Sequence, residues 1–360
     1  MVAGAPGVEL AAIVDPDRAV LRSADATPAF AVLEEALASV ECDAVLIASP
    51  PPAHHAVAKA ALEAGKHVLC EKPLATRLED AFDLIETAQR AERILMVSQN
   101  YRYNAPFRAV QRLVMEGELG KLVSIRIYCR RDTRELFAPD DFRYAMHHPY
   151  ILDMSIHHFD LLRAATGRDV QDVYSRSWRV PDSPFVHDPA VAAILDLDDG
   201  MPVVYEGDWA THEPETSWNG AWEIVGEAGR LLWNGSAEDR GAGEVLFEQL
   251  GQEPYTVEQP DLEFVEREAT LQVLRKAIEG GEPPETAAAD NVKSLAVMLG
   301  CVRSIESGEP VDVAALLAAK GAKLQGRVRE VVSKRRLERG QTGNALHGTV
   351  GRPDAGRARH

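Results

Sequence analysis

The sequence predicts an α/β fold: a doubly wound parallel sheet, followed by an α+β domain built on a large, mainly antiparallel sheet. Three observations predict it. In the first third, compact apolar runs of strand length alternate with helix-period segments, the grammar of βαβ units. After Gly120 the grammar changes to longer alternating segments divided by turn residues, which suits sheets with one covered face. The 360 residues, 46% apolar and 26% charged, are enough to bury a full core without disulfide staples.

The runs Val8 to Val14, Ala44 to Ser49, His67 to Cys70 and Ile94 to Ser98 read as strands. Ala53 to Ala64, which stops at Gly65, and Leu78 to Ala91 read as helices between them. Near-continuous apolar strands indicate a parallel sheet covered on both faces, joined by right-handed crossovers. Beyond Gly120, Leu122 to Arg130, Val170 to Val180, Val191 to Asp198, Pro202 to Ala210, Trp222 to Val225 and Arg230 to Trp233 read as strands. Helices are expected near Asp153 to Thr166, Leu262 to Glu279 and Thr286 to Ser307. The expected division is a nucleotide-type domain over 1–120, a substrate and oligomerisation domain over 121–320, and a basic, partly disordered tail over 321–360.

Charge and cysteine usage narrow the function. With 39 Lys+Arg against 56 Asp+Glu, the net charge is -17, which disfavours nucleic acid and anionic membrane surfaces as partners. The four cysteines, Cys42, Cys70, Cys129 and Cys301, form no CxxC, so no structural zinc site or disulfide framework is expected. There is no long apolar run and no charged-then-apolar leader, so a cytoplasmic location is expected.

Several short constellations could carry chemistry. Asp15 closes the first visible strand, where an acidic side chain can accept hydrogen bonds from an adenosine ribose; Asp-Pro is equally an ordinary turn. Ser49 and Pro50 lie where a strand meets its helix, with His54 one turn on, either capping that loop or simply sitting at a helix start. Glu71 and Lys72 end the next strand, and Pro73 keeps Lys72 out of helical geometry. That edge is where α/β sheets bind ligands, although a surface ion pair would look the same. Asp153 and His157 are spaced i, i+4 on one helix face, so the carboxylate can orient the imidazole and raise its pKa, as in a general-base dyad. A helix-surface pair or part of a metal site would share that spacing.

These signals follow one order: Val14-Asp15-Pro16-Asp17, then Ser49-Pro50 with His54, then Gly65-Lys66-His67-Val68-Leu69-Cys70-Glu71-Lys72-Pro73, then Asp153, His157 and Asp160. The order resembles the Gfo/Idh/MocA family of glucose–fructose oxidoreductase and inositol dehydrogenase relatives. The resemblance runs from about residue 7 to about residue 317 and closes on Ser304 to Val311.

The resemblance implies a Rossmann-type first domain and a nicotinamide-dependent oxidoreductase acting on a sugar, inositol or related polyol. NAD is the implied cofactor, with NADP also admitted. Lys72, Asp153 and His157 would be catalytic. Asp15, Ser49, Pro50, His54, Glu71, Lys72 and Asn100 would hold the cofactor, and Tyr101, Arg102, Tyr103 and His158 the substrate, with no resident metal. Relatives pair subunits through the sheet of the second domain, which implies a homodimer or homotetramer.

Two departures from the family stand out. The sequence lacks the first strand and the G-x-G-x-x-G turn that cradles the pyrophosphate. The expectation is a gap in the sheet and either a gene product that starts upstream of Met1 or a damaged or repurposed, cofactor-deficient relative, and activity of the chain as given depends on that turn. Met146 to Leu152 also stand where relatives carry glycines, which leaves the substrate open. Two other functions fit less of the sequence. A non-catalytic sensor or regulatory binding protein would not need Lys72, Asp153 and His157 together, and a metal-assisted lyase or isomerase would use His147 and His148 beside Asp153 and His157.

Overall fold

The computed structural model describes residues 2, 4–22, 27–234 and 243–319. The tail expected over 321–360 lies outside them. The described residues up to Leu317 belong to one compact unit.

Five short parallel strands come first, in two sheets. β1 (Ile13–Val14) pairs with β2 (Ala29–Phe30). β3 (Ala44–Ile47), β4 (His67–Glu71) and β5 (Leu95–Ser98) form a separate three-stranded sheet in that order. Helices α1 (Arg18–Arg22), α2 (Leu33–Ser39), α3 (Pro51–Glu63) and α4 (Leu78–Ala91) connect them. All four residues of β5 are buried, as are Val68, Leu69 and Cys70 of β4, which is what a sheet covered on both faces requires. α3 begins on Pro51, whose missing N–H costs nothing in a first turn. α4 buries Leu78, Ala81, Leu84 and Ala88, an apolar stripe at helical spacing.

The strand expected over Val8 to Val14 is cut to its last two residues. Only Ile13 and Val14 find ladder partners, Ala29 and Phe30. Val8 instead packs with Val2 and Ala5 against Leu69 and Met96 of the sheet and Leu271 and Leu274 of a later helix. The two parallel sheets are separate, and a doubly wound order would place its first strand between β1 and β3, the gap that the sequence implies.

After α5 (Ala105–Met115) come β6 (Leu122–Arg130), α6 (Ile156–Thr166), β7 (Val170–Trp178), β8 (Ala190–Leu197), β9 (Pro202–Asp208), β10 (Ala221–Gly226), β11 (Gly229–Asn234), β12 (Glu244–Gln249), β13 (Tyr255–Thr256), α7 (Glu266–Ile278), α8 (Ala288–Ser307) and β14 (Val311–Asp312). The nine-stranded sheet has the order β13-β12-β11-β10-β6-β9-β8-β7-β14. All its pairings are antiparallel except β6 with β9, which run parallel from Ile125↔Val203 to Arg130↔Asp208. The sheet is therefore mixed at its centre, a detail that alternation along single strands does not carry.

One face of this sheet is covered. Ile125, Ile127, Val173, Leu195 and Val203 share a core with Phe159 and Leu162 of α6 and Leu295 and Met298 of α8. Truncating a fully buried side chain such as Phe159 to alanine would cost about 3–5 kcal/mol. Gly207 is needed at one close approach: a Cβ there would stand 1.8 Å from Cε1 of Tyr150. The Tyr150 ring thus lies against β9 directly before the turn that carries Asp153.

Candidate active site

Parallel strands β3, β4 and β5 end on the same edge, and the residues after them gather there. His54, fully buried in the first turn of α3, places its ring nitrogens 2.8 Å from the carbonyl oxygens of Ser49 and Pro73. It thereby ties the loop after β3 to the loop after β4. The Ser49 hydroxyl is buried there without a partner. Pro50 is the N-cap of α3 and is exposed. Glu71, the last residue of β4, faces Arg267 of α7 at 3.5 Å.

Lys72 reaches across to the segment before α6. Its ammonium donates to the backbone carbonyl of Asp153 and, at 2.9 Å, to the carboxylate Oδ1. Asp153 lies in a π-helical turn, Ile151–Ser155, that runs directly into α6. Its other oxygen, Oδ2, accepts from Nε of Arg143 at 2.9 Å. Burial alone would raise the Asp153 carboxyl, but the charges and hydrogen bonds of Lys72 and Arg143 outweigh it and hold the group down at about 2.

The expected Asp153–His157 dyad is not formed. The π-helical turn breaks the i, i+4 register on which it rests, and both carboxylate oxygens are already taken by cations. His157 stacks on Tyr101 instead, with ring centroids 4.2 Å apart, and its Nδ1 is buried without a hydrogen-bond partner. The imidazole pKa moves down, not up. Burial is the main cause, reinforced by the positive charge of Lys72 and only partly opposed by Asp153. His157 is a neutral base at neutral pH.

Three of the four residues expected to line a substrate pocket are engaged inside the protein. Arg102 holds Asp160 through two hydrogen bonds, Nε to Oδ2 and Nη2 to Oδ1, with only 6% of its side chain exposed. Tyr103 is buried under the Arg108 guanidinium, 5.2 Å from its ring centroid. His158 lies between the Tyr205 hydroxyl and the Trp218 carbonyl, each 2.9 Å away. Since the Trp218 carbonyl can only accept, Nε2 of His158 donates and Nδ1 accepts from Tyr205. Burial pushes His158 down to about 4. The fourth, Tyr101, does face the site through His157. Asn100, 2% exposed, opens the 3-10 turn Asn100–Tyr103 after β5.

Asp15 closes β1, in the separate two-stranded sheet, and its Oδ1 accepts from the Asp17 amide at 2.7 Å. The turn role is thus visible, and one carboxylate oxygen is left over. Sequence reasoning missed Arg143 and Arg267. Arg143 lies in a short 3-10 turn that no periodicity flags, and Arg267 lies in the first turn of an expected helix, whose spacing does not tell that it meets Glu71 of another element.

Among the described residues, no group of His, Cys, Asp and Glu side chains could hold a metal ion, and His147 is stacked on His187 at 3.7 Å. Nor is any described helix long and apolar enough to cross a membrane.

Comparison with known proteins identifies the family. Residues 1–99 match the model of an oxidoreductase family with an NAD-binding Rossmann fold, and residues 107–232 match the GFO/IDH/MocA C-terminal domain. A 1,5-anhydro-D-fructose reductase from Ensifer adhaerens is 26% identical, over 78% of this chain and 83% of that one. A myo-inositol 2-dehydrogenase from Thermotoga maritima is 27% identical, over 75% and 80%. An oxidoreductase from Agrobacterium radiobacter, solved with NAD+, L-tartaric acid and magnesium, superposes with a TM-score of 0.76 at 23% identity, over 88% of this chain and 94% of that one. The residues present fit a dinucleotide at this edge. The unpartnered Ser49 hydroxyl offers it a hydrogen bond. The chain belongs to the Gfo/Idh/MocA family of NAD-binding oxidoreductases.

Proposed function

We propose that the chain is an NAD(P)-dependent dehydrogenase that acts on a secondary hydroxyl, or the corresponding ketone, of a sugar, inositol or related polyol. The observation that carries this reading is the Lys72–Asp153 pair at the edge of the parallel sheet, with the neutral His157 beside it. Lys72 directs two of its three N–H groups at Asp153, and the third is left to bind the substrate oxygen and steady charge that develops there. His157 takes the hydroxyl proton at Nε2, because Nδ1 is buried. Bound nicotinamide supplies the hydride acceptor or donor. The charges around Lys72 are balanced, with Lys72, Arg143 and Arg267 facing Asp153, Asp141 and Glu71, which suits an uncharged polyol.

The subunits pair through the open face of the nine-stranded sheet, as a homodimer or homotetramer. Tyr174, Trp178, Ile194 and Val204 share that face, and the last three are 41%, 49% and 50% exposed.

The test is a titration with NADH and NADPH followed by nicotinamide energy transfer, on this chain and on one extended upstream. A panel of inositols and aldoses is then assayed with NAD+. Micromolar binding and turnover on a polyol, reduced about 10²-fold or more in Lys72→Ala, are expected. A folded protein that binds neither nucleotide in either form overturns the reading.

A further inference from the structure

Arg143 belongs to a short 3-10 turn, Phe142–Ala145, in the connection between β6 and α6, and is not itself one of the family's motif residues. Yet its guanidinium is held at two of its three nitrogens. Nε donates to Asp153 Oδ2 at 2.9 Å, and Nη1 donates to both oxygens of Asp141, at 3.2 and 3.1 Å. The cation also lies over two rings, 4.9 Å from the centroid of Phe137 and 4.7 Å from that of Phe142. The stretch that carries it is itself anchored. The Tyr144 hydroxyl lies within hydrogen-bond reach of the carbonyls of Thr133, Arg134 and Phe137, the Val186 amide donates to the Tyr144 carbonyl at 2.7 Å, and His147 stacks on His187. The arginine is placed by the fold, not by chance contact of a free side chain.

A carboxylate with one oxygen held by a second, fixed cation cannot turn without breaking that bond. At Asp153, Arg143 occupies Oδ2 and leaves Oδ1 to Lys72. The ammonium therefore keeps a fixed direction and a spare N–H. We propose that Arg143 is a positioning residue for Lys72: by holding one oxygen of Asp153 it fixes the carboxylate that aims the lysine at the substrate oxygen. The inference rests on the catalytic reading of Lys72 above.

Two variants test it, Arg143→Gln and the conservative Arg143→Lys, each first checked for folding. In [4-13C]aspartate-labelled protein, with the Asp153 signal assigned through Asp153→Asn, removal of the cation raises the Asp153 titration by about one unit or more in Arg143→Gln. Turnover falls about tenfold with unchanged NADH affinity. Added guanidinium restores part of it, which the loss of a merely structural side chain would not allow, and Arg143→Lys keeps an intermediate rate. An Asp153 titration that does not move, or turnover within about threefold of the wild type, overturns the assignment. The titration needs no substrate. If no polyol is oxidised, the functional reading fails while the carboxylate signal still decides whether Arg143 controls Asp153.

Discussion

Tyr101 and His157 lie face to face, their ring planes 16° apart and their centroids separated by 4.2 Å. The stack fixes the imidazole plane in a place where no hydrogen bond reaches Nδ1. A contact of this kind is worth about 0.5–1.5 kcal/mol, so it can hold an orientation but cannot supply catalysis. Tyr101→Leu should lower kcat by about two- to tenfold, and His157→Ala by about 10² or more. NADH affinity should hardly change in either. Steady-state rates beside a nucleotide titration check this, and a His157→Ala enzyme with turnover within about threefold would remove the base.

Arg102 divides fold from chemistry. Its guanidinium and the Asp160 carboxylate, 6% and 1% exposed, satisfy each other in the interior. Arg102→Met would strand a buried carboxylate, at a cost of about 3–5 kcal/mol. Urea unfolding should show that loss, while the surviving folded fraction keeps its KM for substrate. A large KM change at unaltered stability would restore Arg102 to the pocket.

Stability should fall as the solution turns acidic. His157 and His158 are both held below 6.5 by burial, His158 at about 4. Below pH 6.5 the unfolded chain binds more protons than the folded one, so the stability they contribute is complete above pH 6.5 and falls as the pH drops, for His158 down to about 4. Each group contributes up to about 1.4 kcal/mol per pH unit within its window. Asp153, held at about 2, adds its own loss only at lower pH, below the ordinary 3.8. Urea midpoints from pH 7 to pH 4 check the slope, which His158→Gln should reduce. A midpoint that stays level over that range contradicts the buried neutral histidines.

Asp15 should set the preference between nucleotides. Its free carboxylate oxygen at the end of β1 can accept from a ribose hydroxyl and repels a 2′-phosphate. Asp15→Ala should weaken NADH more than NADPH, and equal losses in the two titrations would take Asp15 out of the ribose contact.

The strand-and-helix rhythm up to Ser98, the change of grammar after Gly120 and the family order of Asp15, Lys72 and Asp153 were legible because periodicity and local motifs carry them. Pairings between distant segments were not. Nothing in the alternation of β6 or β9 says that they lie side by side and parallel. The i, i+4 spacing of Asp153 and His157 suggested a dyad, and one π-helical turn was enough to break it. Arg102, Tyr103 and His158 stood beside site residues in sequence but turned inward, because their partners Asp160, Arg108 and Trp218 come from other elements.

The centre of the nine-stranded sheet also sets an order of assembly. β7, β8 and β9 form one meander and β10 to β13 another, and each can zip up between neighbours in sequence. Only β6 joins them, through β9 on one side and β10 on the other. It is synthesised before either partner. Until both arrive, its two edges stand unpaired, with Ile125, Ile127 and Cys129 uncovered. The strand at the middle of the finished sheet thus waits on both edges for later segments, and in a growing chain it is open to pairing with a neighbouring molecule until β9 and β10 arrive.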